Sequence, residues 1–167
     1  MQLLVLYYSG SGNTKRLAEA VAEGAGKVEG FDVMLRTPED ITMEEFKDSH
    51  AIVAGSPVYF GGPAAELKKV FDDFLKVRKY MEGKIGAAFA ASAHHTGGKE
   101  TTMLAILQAM LIYGMIVLGD PLEVGGHYGV ACAGTPDEHT LEGARKLGAR
   151  VAETANKLLS QGHASRF

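Results

Sequence analysis

Continuous apolar runs and amphipathic stretches alternate along this chain of 167 residues. Leu3-Leu4-Val5-Leu6-Tyr7-Tyr8 is apolar without a break, the texture of a strand covered on both faces. A Gly/Ser/Asn loop follows, then a stretch with Leu17, Val21 and Ala25 spaced as one helix face. Phe31 to Arg36 predicts a second strand, ended by Thr37-Pro38, and Met43 to Lys47 a short helix. Ala51-Ile52-Val53-Ala54-Gly55 predicts a third strand. Gly62-Pro63 is expected to open a helix with Pro63 at its first position and Leu67, Val70, Phe71, Phe74 and Leu75 on one face. Ile85 to Ala91 is apolar without a helical period and predicts a fourth strand. Lys99 to Tyr113 predicts a helix with Met103, Leu104, Leu107, Met110 and Leu111 facing inward. Met115 to Leu118 predicts a fifth strand that continues into glycine-rich chain from Gly119 to Gly134. Leu141, Ala144, Leu147, Val151, Ala155 and Leu158 mark a closing helix. Residues 1–160 read as one domain and 161–167 as a frayed tail. Strands alternating with helices imply an α/β fold with a parallel sheet, and right-handed crossovers put helices on both faces.

Composition narrows the function. With 46% hydrophobic and 22% charged residues, the chain has enough apolar surface to offset its ordering entropy. Its 21 glycines predict tight turns and close backbone approaches. A net charge of −3 and a pI near 6.1 argue against a nucleic-acid partner. The single cysteine, Cys132, excludes an intrachain disulfide, and its setting Val130-Ala131-Cys132-Ala133 reads as a small buried thiol. Met1-Gln2-Leu3-Leu4-Val5-Leu6 lacks the basic flank of a secretory signal, and no run approaches the ~20 residues that span a bilayer. The expectation is a cytoplasmic protein with no membrane segment.

In a parallel α/β sheet, ligands bind beyond the carboxyl ends of the strands, so the loops after the first, third and fourth strands hold the candidate chemistry. The first is Ser9-Gly10-Ser11-Gly12-Asn13-Thr14-Lys15. It joins a strand to a helix, where free backbone N–H groups and the helix dipole make an anion site, and its hydroxyls and amide add donors. Lys15 follows Thr14 rather than preceding it, which excludes a Walker A loop. Lys15 also stands where a dinucleotide fingerprint needs its third glycine. A terminal phosphate monoester suits the loop better than a pyrophosphate. The second loop, Gly55-Ser56-Pro57-Val58-Tyr59-Phe60-Gly61-Gly62-Pro63, places two large rings at a strand end, where they can cover a flat apolar ligand. Phe60 taken alone also has a core reading, the lesser of the two. The third loop, Ala91-Ser92-Ala93-His94-His95-Thr96-Gly97-Gly98-Lys99-Glu100, supplies small residues and hydroxyls. Its adjacent histidines do not converge naturally on one metal ion, and no Cys or carboxylate spacing completes a site, so no metal is expected. One of them is placed to reach a substrate; His127, in the glycine-rich stretch, has no role legible from sequence. A phosphate pocket beside an aromatic clamp describes a flat phosphorylated heterocycle.

These loops resemble those of the flavodoxin-like superfamily, whose members bind FMN. Tyr7-Tyr8-Ser9-Gly10-Ser11-Gly12-Asn13-Thr14 resembles its phosphate loop. Gly55-Ser56-Pro57-Val58-Tyr59-Phe60-Gly61 and Thr96-Gly97-Gly98-Lys99-Glu100 are similar to the second and third loops of the tryptophan-repressor-binding-protein type of NAD(P)H:quinone oxidoreductase. Gly83-Lys84, Gly114-Met115-Ile116-Val117 and Tyr128-Gly129 continue the likeness. Tyr59 stands where that type carries Arg, Tyr113 where it carries His, and Phe74 to Tyr80 replaces a Trp-bearing segment. The resemblance implies a three-layer sandwich with a five-stranded parallel sheet of order 2-1-3-4-5. It implies FMN as cofactor, with Ser9, Gly10, Ser11, Gly12, Asn13 and Thr14 at the phosphate. Pro57, Val58, Tyr59, Phe60 and Gly61 would border the isoalloxazine, and Ser92, Ala93, His94, Thr96, Gly97 and Gly98 its other edge and the ribityl chain. It implies an oxidoreductase fed by NAD(P)H and reducing a quinone or similar small acceptor, assembled as a homodimer or homotetramer. The alternative is an electron carrier between redox protein partners, and a third reading is an FMN-free module. No catalytic side chain is expected, because the flavin performs the chemistry.

Overall fold

The computed structural model describes residues 1–160, and the tail expected at 161–167 lies outside the described residues. The chain runs β1 (Gln2–Tyr7), α1 (Asn13–Gly26), β2 (Asp32–Arg36), α2 (Met43–Asp48), β3 (Ala51–Tyr59), β4 (Gly62–Pro63) and α3 (Ala65–Asp73). A 3-10 segment (Phe74–Tyr80) leads to β5 (Ile85–Ser92), α4 (Lys99–Ile112), β6 (Ile116–Leu118), β7 (Val130–Ala133) and α5 (Glu138–Ser160). The sheet order is β2-β1-β3-β5-β6, all parallel. Those are the five expected strands in the expected 2-1-3-4-5 order. Leu3 lies between Val33 and Ala51, and Ile85 between Ala51 and Ile116.

The fifth position is shared by two strands. β6 pairs with Ile85 to Ala87, the chain then leaves the sheet, and β7 returns to pair with Phe89 to Ser92. The glycine-rich stretch from Gly119 to Gly134, for which no separate strand was expected, therefore contains one, Val130–Ala133.

Cores form on both faces of the sheet. Leu3, Val5, Val53, Ala87 and Phe89 pack against α1 and α5 through Leu17, Val21, Leu147 and Val151. Leu4, Leu6, Ile52, Ala88 and Ala90 point the other way, toward α2, α3 and α4 through Phe46, Leu67, Met103 and Met110. Alternation along fully buried strands produces this split.

Three expectations are corrected. Pro63 does not open a helix: it pairs with Val58 in a short antiparallel hairpin, and α3 begins at Ala65. Leu75 turns outward, 60% exposed. The α-helix tightens to 3-10 winding at Phe74, which advances each side chain by about 120° instead of 100° and rotates Leu75 off the inner face. On α4, Leu104 and Leu111 are exposed rather than inward. That helix is apolar on nearly every side, so hydrophobicity alone does not choose the buried stripe.

Candidate functional site

The three loops meet at the carboxyl ends of β1, β3 and β5. The first spans Tyr8 to Gly12. Gly12, the N-cap of α1, adopts φ 92, which glycine alone enters freely, and has no side chain of its own to cap the helix. Instead the N–H groups of Gly12 and Lys15 both donate to Ser9 Oγ, at 3.1 and 3.2 Å. Backbone donors at a helix N-terminus thus already cradle one oxygen acceptor. The first turn of α1 contains no acidic side chain to repel an anion. A Cβ on Gly12 would meet nothing within 4 Å, so the cradle opens outward. Donor set and space fit a phosphate monoester. Ser11 and Gly10 are exposed and Asn13 half-buried, whereas Thr14 is buried beneath the loop.

The second loop is a hairpin. Tyr59 pairs with Gly62, and Phe60 (φ 50) and Gly61 (φ 81) form the turn. Pro57 and Val58 are half-buried at its base. Ser56, fully buried, fixes that base: its hydroxyl donates to the Pro57 carbonyl at 2.7 Å and accepts the Ala64 N–H at 2.8 Å. Phe60 projects into solvent with 112% relative exposure, which settles against the core reading of its ring. Tyr59, 44% exposed, leans back over the first loop, where a Cβ on Gly10 would come within 2.6 Å of its hydroxyl. Tyr8 packs edge-on to Tyr59 with centroids 6.2 Å apart. The nearby Glu66 carboxylate, in the first turn of α3, raises the Tyr8 pKa by its charge.

The third loop spans Ala93 to Gly98. Ser92 is buried, and its hydroxyl donates to the His94 carbonyl at 2.6 Å, so it shapes the loop from beneath. Ala93, His94, His95 and Thr96 are exposed, and Gly97 and Gly98 half-buried. Gly98 (φ 94) sits against the hairpin tip: a Cβ there would lie 3.1 Å from Gly61 Cα. Thr101 closes the junction by donating to the Gly61 carbonyl at 2.8 Å. The structure therefore brings all three sequence-predicted loops together, the second touching the other two.

Sequence reading missed Thr101 and Glu66, and placed Ser56 in the second loop without its anchoring role. Thr101 had a signal, a hydroxyl in the first turn of the helix after the third loop; the roles of Ser56 and Glu66 become legible only once β4 folds the chain back. Tyr113 lies elsewhere, buried at the end of α4, with its hydroxyl donating to the Phe71 carbonyl at 2.5 Å and its pKa pushed up to about 12 by burial. Burial also pushes the Cys132 thiol up to about 11, the state of an unreactive thiol. Among the described residues no three His, Cys, Asp or Glu side chains gather as a metal site, and no helix is long and apolar enough to cross a membrane.

An open α/β sheet with a cradle of backbone donors, an aromatic hairpin and a glycine-rich third loop at the strand ends defines a flavodoxin-like, FMN-binding protein. Residues 1–127 match the model of the NADPH-dependent FMN reductase family, and the chain belongs to that family. It is 35% identical to an NAD(P)H dehydrogenase (quinone) of Archaeoglobus fulgidus, across 94% of this chain and 98% of that one. It is 37% identical to a flavodoxin of Aquifex aeolicus, across 91% and 85% of the two chains. Among solved structures, a WrbA-like flavodoxin protein from Agrobacterium tumefaciens superposes with a TM-score of 0.80 at 29% identity, covering 93% of this chain and 98% of that one.

Proposed function

We propose that this protein is an FMN-dependent oxidoreductase that accepts hydride from NAD(P)H and delivers electrons to a quinone or similar small acceptor. The observation that supports it most is the Phe60 ring, wholly exposed on a pinned hairpin beside the phosphate cradle. An exposed aromatic ring at the edge of the flavin seat suits contact with a flat reactant. When bound, FMN supplies the hydride and electron chemistry. The chain's residues bind and orient. The N–H groups of Gly12 and Lys15, with Ser9, Gly10, Ser11, Asn13 and Thr14, hold the phosphate. Pro57, Val58, Tyr59, Phe60 and Gly61 border the ring system, and Ala93, His94, Thr96, Gly97 and Gly98 line its polar edge, with Ser92 supporting that loop from beneath.

A homodimer or homotetramer belongs to the same reading. Leu111 and Ile112 on α4 are 56% and 62% exposed, apolar surface of the kind that subunits cover.

A second reading, an electron carrier, is favoured by the similarity to a flavodoxin. An anaerobic absorbance titration of the FMN-loaded protein with NADH and NADPH separates the two. The oxidoreductase loses its flavin absorbance with one equivalent of reductant and recovers it on addition of benzoquinone. A flavin inert to both nucleotides and reduced only by dithionite identifies a carrier.

A further inference from the structure

We propose that His94 is a positioning residue: its imidazole acts as a hydrogen-bond acceptor at Nδ1 and holds the third loop in the form that receives the flavin. This rests on the functional reading above, which sets His94 at the polar edge of the flavin seat without giving its imidazole a task.

The Thr96 N–H lies 3.3 Å from His94 Nδ1. A backbone N–H only donates, so Nδ1 presents its lone pair, and the proton of the neutral ring is on Nε2. The Thr96 hydroxyl shares the same nitrogen at 3.0 Å. The carbonyl of His94 meanwhile accepts the Ser92 hydroxyl at 2.6 Å and the Gly97 N–H at 3.0 Å. One residue, through ring and carbonyl, thus gathers donors from Ser92, Thr96 and Gly97. The turn it closes is tight, since a Cβ on Gly97 would lie 2.9 Å from the His94 carbonyl oxygen. The chain then passes through Gly98 in the left-handed region to meet Gly61 at the hairpin tip. The shape set by His94 is therefore passed to the junction between the second and third loops.

The ring is exposed, so it holds the loop by polarity rather than by packing. Its one aromatic neighbour among the described residues is His95, edge-on at 6.4 Å. An apolar ring of similar size keeps the volume and loses the acceptor. Asparagine keeps an acceptor oxygen near the position of Nδ1.

The test compares the full-length wild type, His94→Asn and His94→Phe, each titrated with FMN and followed by quenching of flavin fluorescence. His94→Phe is expected to bind FMN about tenfold more weakly with an unchanged melting temperature, and His94→Asn to stay within about threefold of wild type. Nitrogen-15 spectra of the histidine side chains should show His94 protonated on Nε2. The proposal is overturned if His94→Phe binds as wild type does, if His94→Asn falls as far as His94→Phe, or if Nδ1 holds the proton. A wild type that binds FMN beside an unaffected His94→Phe overturns this proposal alone. A wild type that binds no FMN overturns the functional reading and this proposal with it.

Discussion

Phe60 is where local conformation and function disagree. It occupies the first central position of a two-residue hairpin turn with φ 50, ahead of Gly61 at φ 81. Turns with two left-handed residues favour Asn-Gly, because a bulky side chain there is strained by roughly 1–2 kcal/mol. The ring recovers nothing by burial, since it is fully exposed. A strained, exposed aromatic beside a cofactor seat is retained for what it contacts outside its own chain. Phe60→Asn should therefore raise folding stability by about 1 kcal/mol, read as a rise of a few degrees in melting temperature. The same variant should lower kcat/KM for a quinone acceptor. A drop in melting temperature instead would show that the ring is buried in solution. The sequence left Phe60 divided between core and clamp, because neither reading contained the hairpin that throws it outward. The turn from Ser9 to Gly12, by contrast, was legible: a strand, a Gly/Ser loop and a helix start leave backbone N–H groups facing outward at the helix N-terminus, here donating to Ser9 Oγ.

At the scale of elements, α1 and α5 pack closely enough for their backbones to approach. A Cβ on Gly148 would run into the Val21 carbonyl oxygen and lie 3.0 Å from Ala25 N. Gly24 faces the Arg145 carbonyl in the same way. Helix propensity favours alanine over glycine by about 1 kcal/mol, so propensity and packing predict opposite signs for Gly148→Ala. Packing should win, because the obstruction is backbone and relief requires moving a whole helix. A net loss of about 2 kcal/mol is expected in urea unfolding. Gly26 is the control: a Cβ there meets nothing within 4 Å, and Gly26→Ala should be neutral or stabilising. Stabilisation by Gly148→Ala would mean that the helices sit farther apart. Periodicity found α1 and α5 because each has one clear apolar stripe, Leu17–Val21–Ala25 and Leu147–Val151–Ala155. It misassigned Leu104 and Leu111 because α4 has no polar face to contrast with them. It missed β7 because Val130–Ala133 is short and flanked by glycines, and only the exposed edge of β5 makes it a strand.

Across the whole molecule the parallel sheet has two unlike ends. The carboxyl end presents the glycine-rich loops. The amino end holds a compact charged cluster whose titration belongs to folding rather than to the site. There Lys84, just ahead of β5, donates from Nζ to the Lys47 carbonyl at the end of α2. His50, just ahead of β3, accepts the Gln2 N–H at Nδ1 over 3.1 Å. Burial lowers the Lys84 pKa to about 8, with Lys47 adding to the effect and Asp48 opposing it. Burial, followed by the Lys84 charge, lowers that of His50 from its usual 6.5. Between pH of about 8 and 10.5, the unfolded chain keeps the Lys84 proton and the folded chain has released it. Unfolding in that window takes up a proton, so stability rises with pH across it. The His50 contribution has the same sign but is complete by pH 6.5, below the Lys84 window. Wild type should therefore gain stability relative to Lys84→Met as pH rises from about 8 toward 10, measured as the difference between their urea midpoints at each pH. Parallel curves would mean that the Lys84 amine keeps its proton in the folded state. Curves that diverge downward, with wild type losing ground, would require an acidic partner for Lys84 stronger than Asp48.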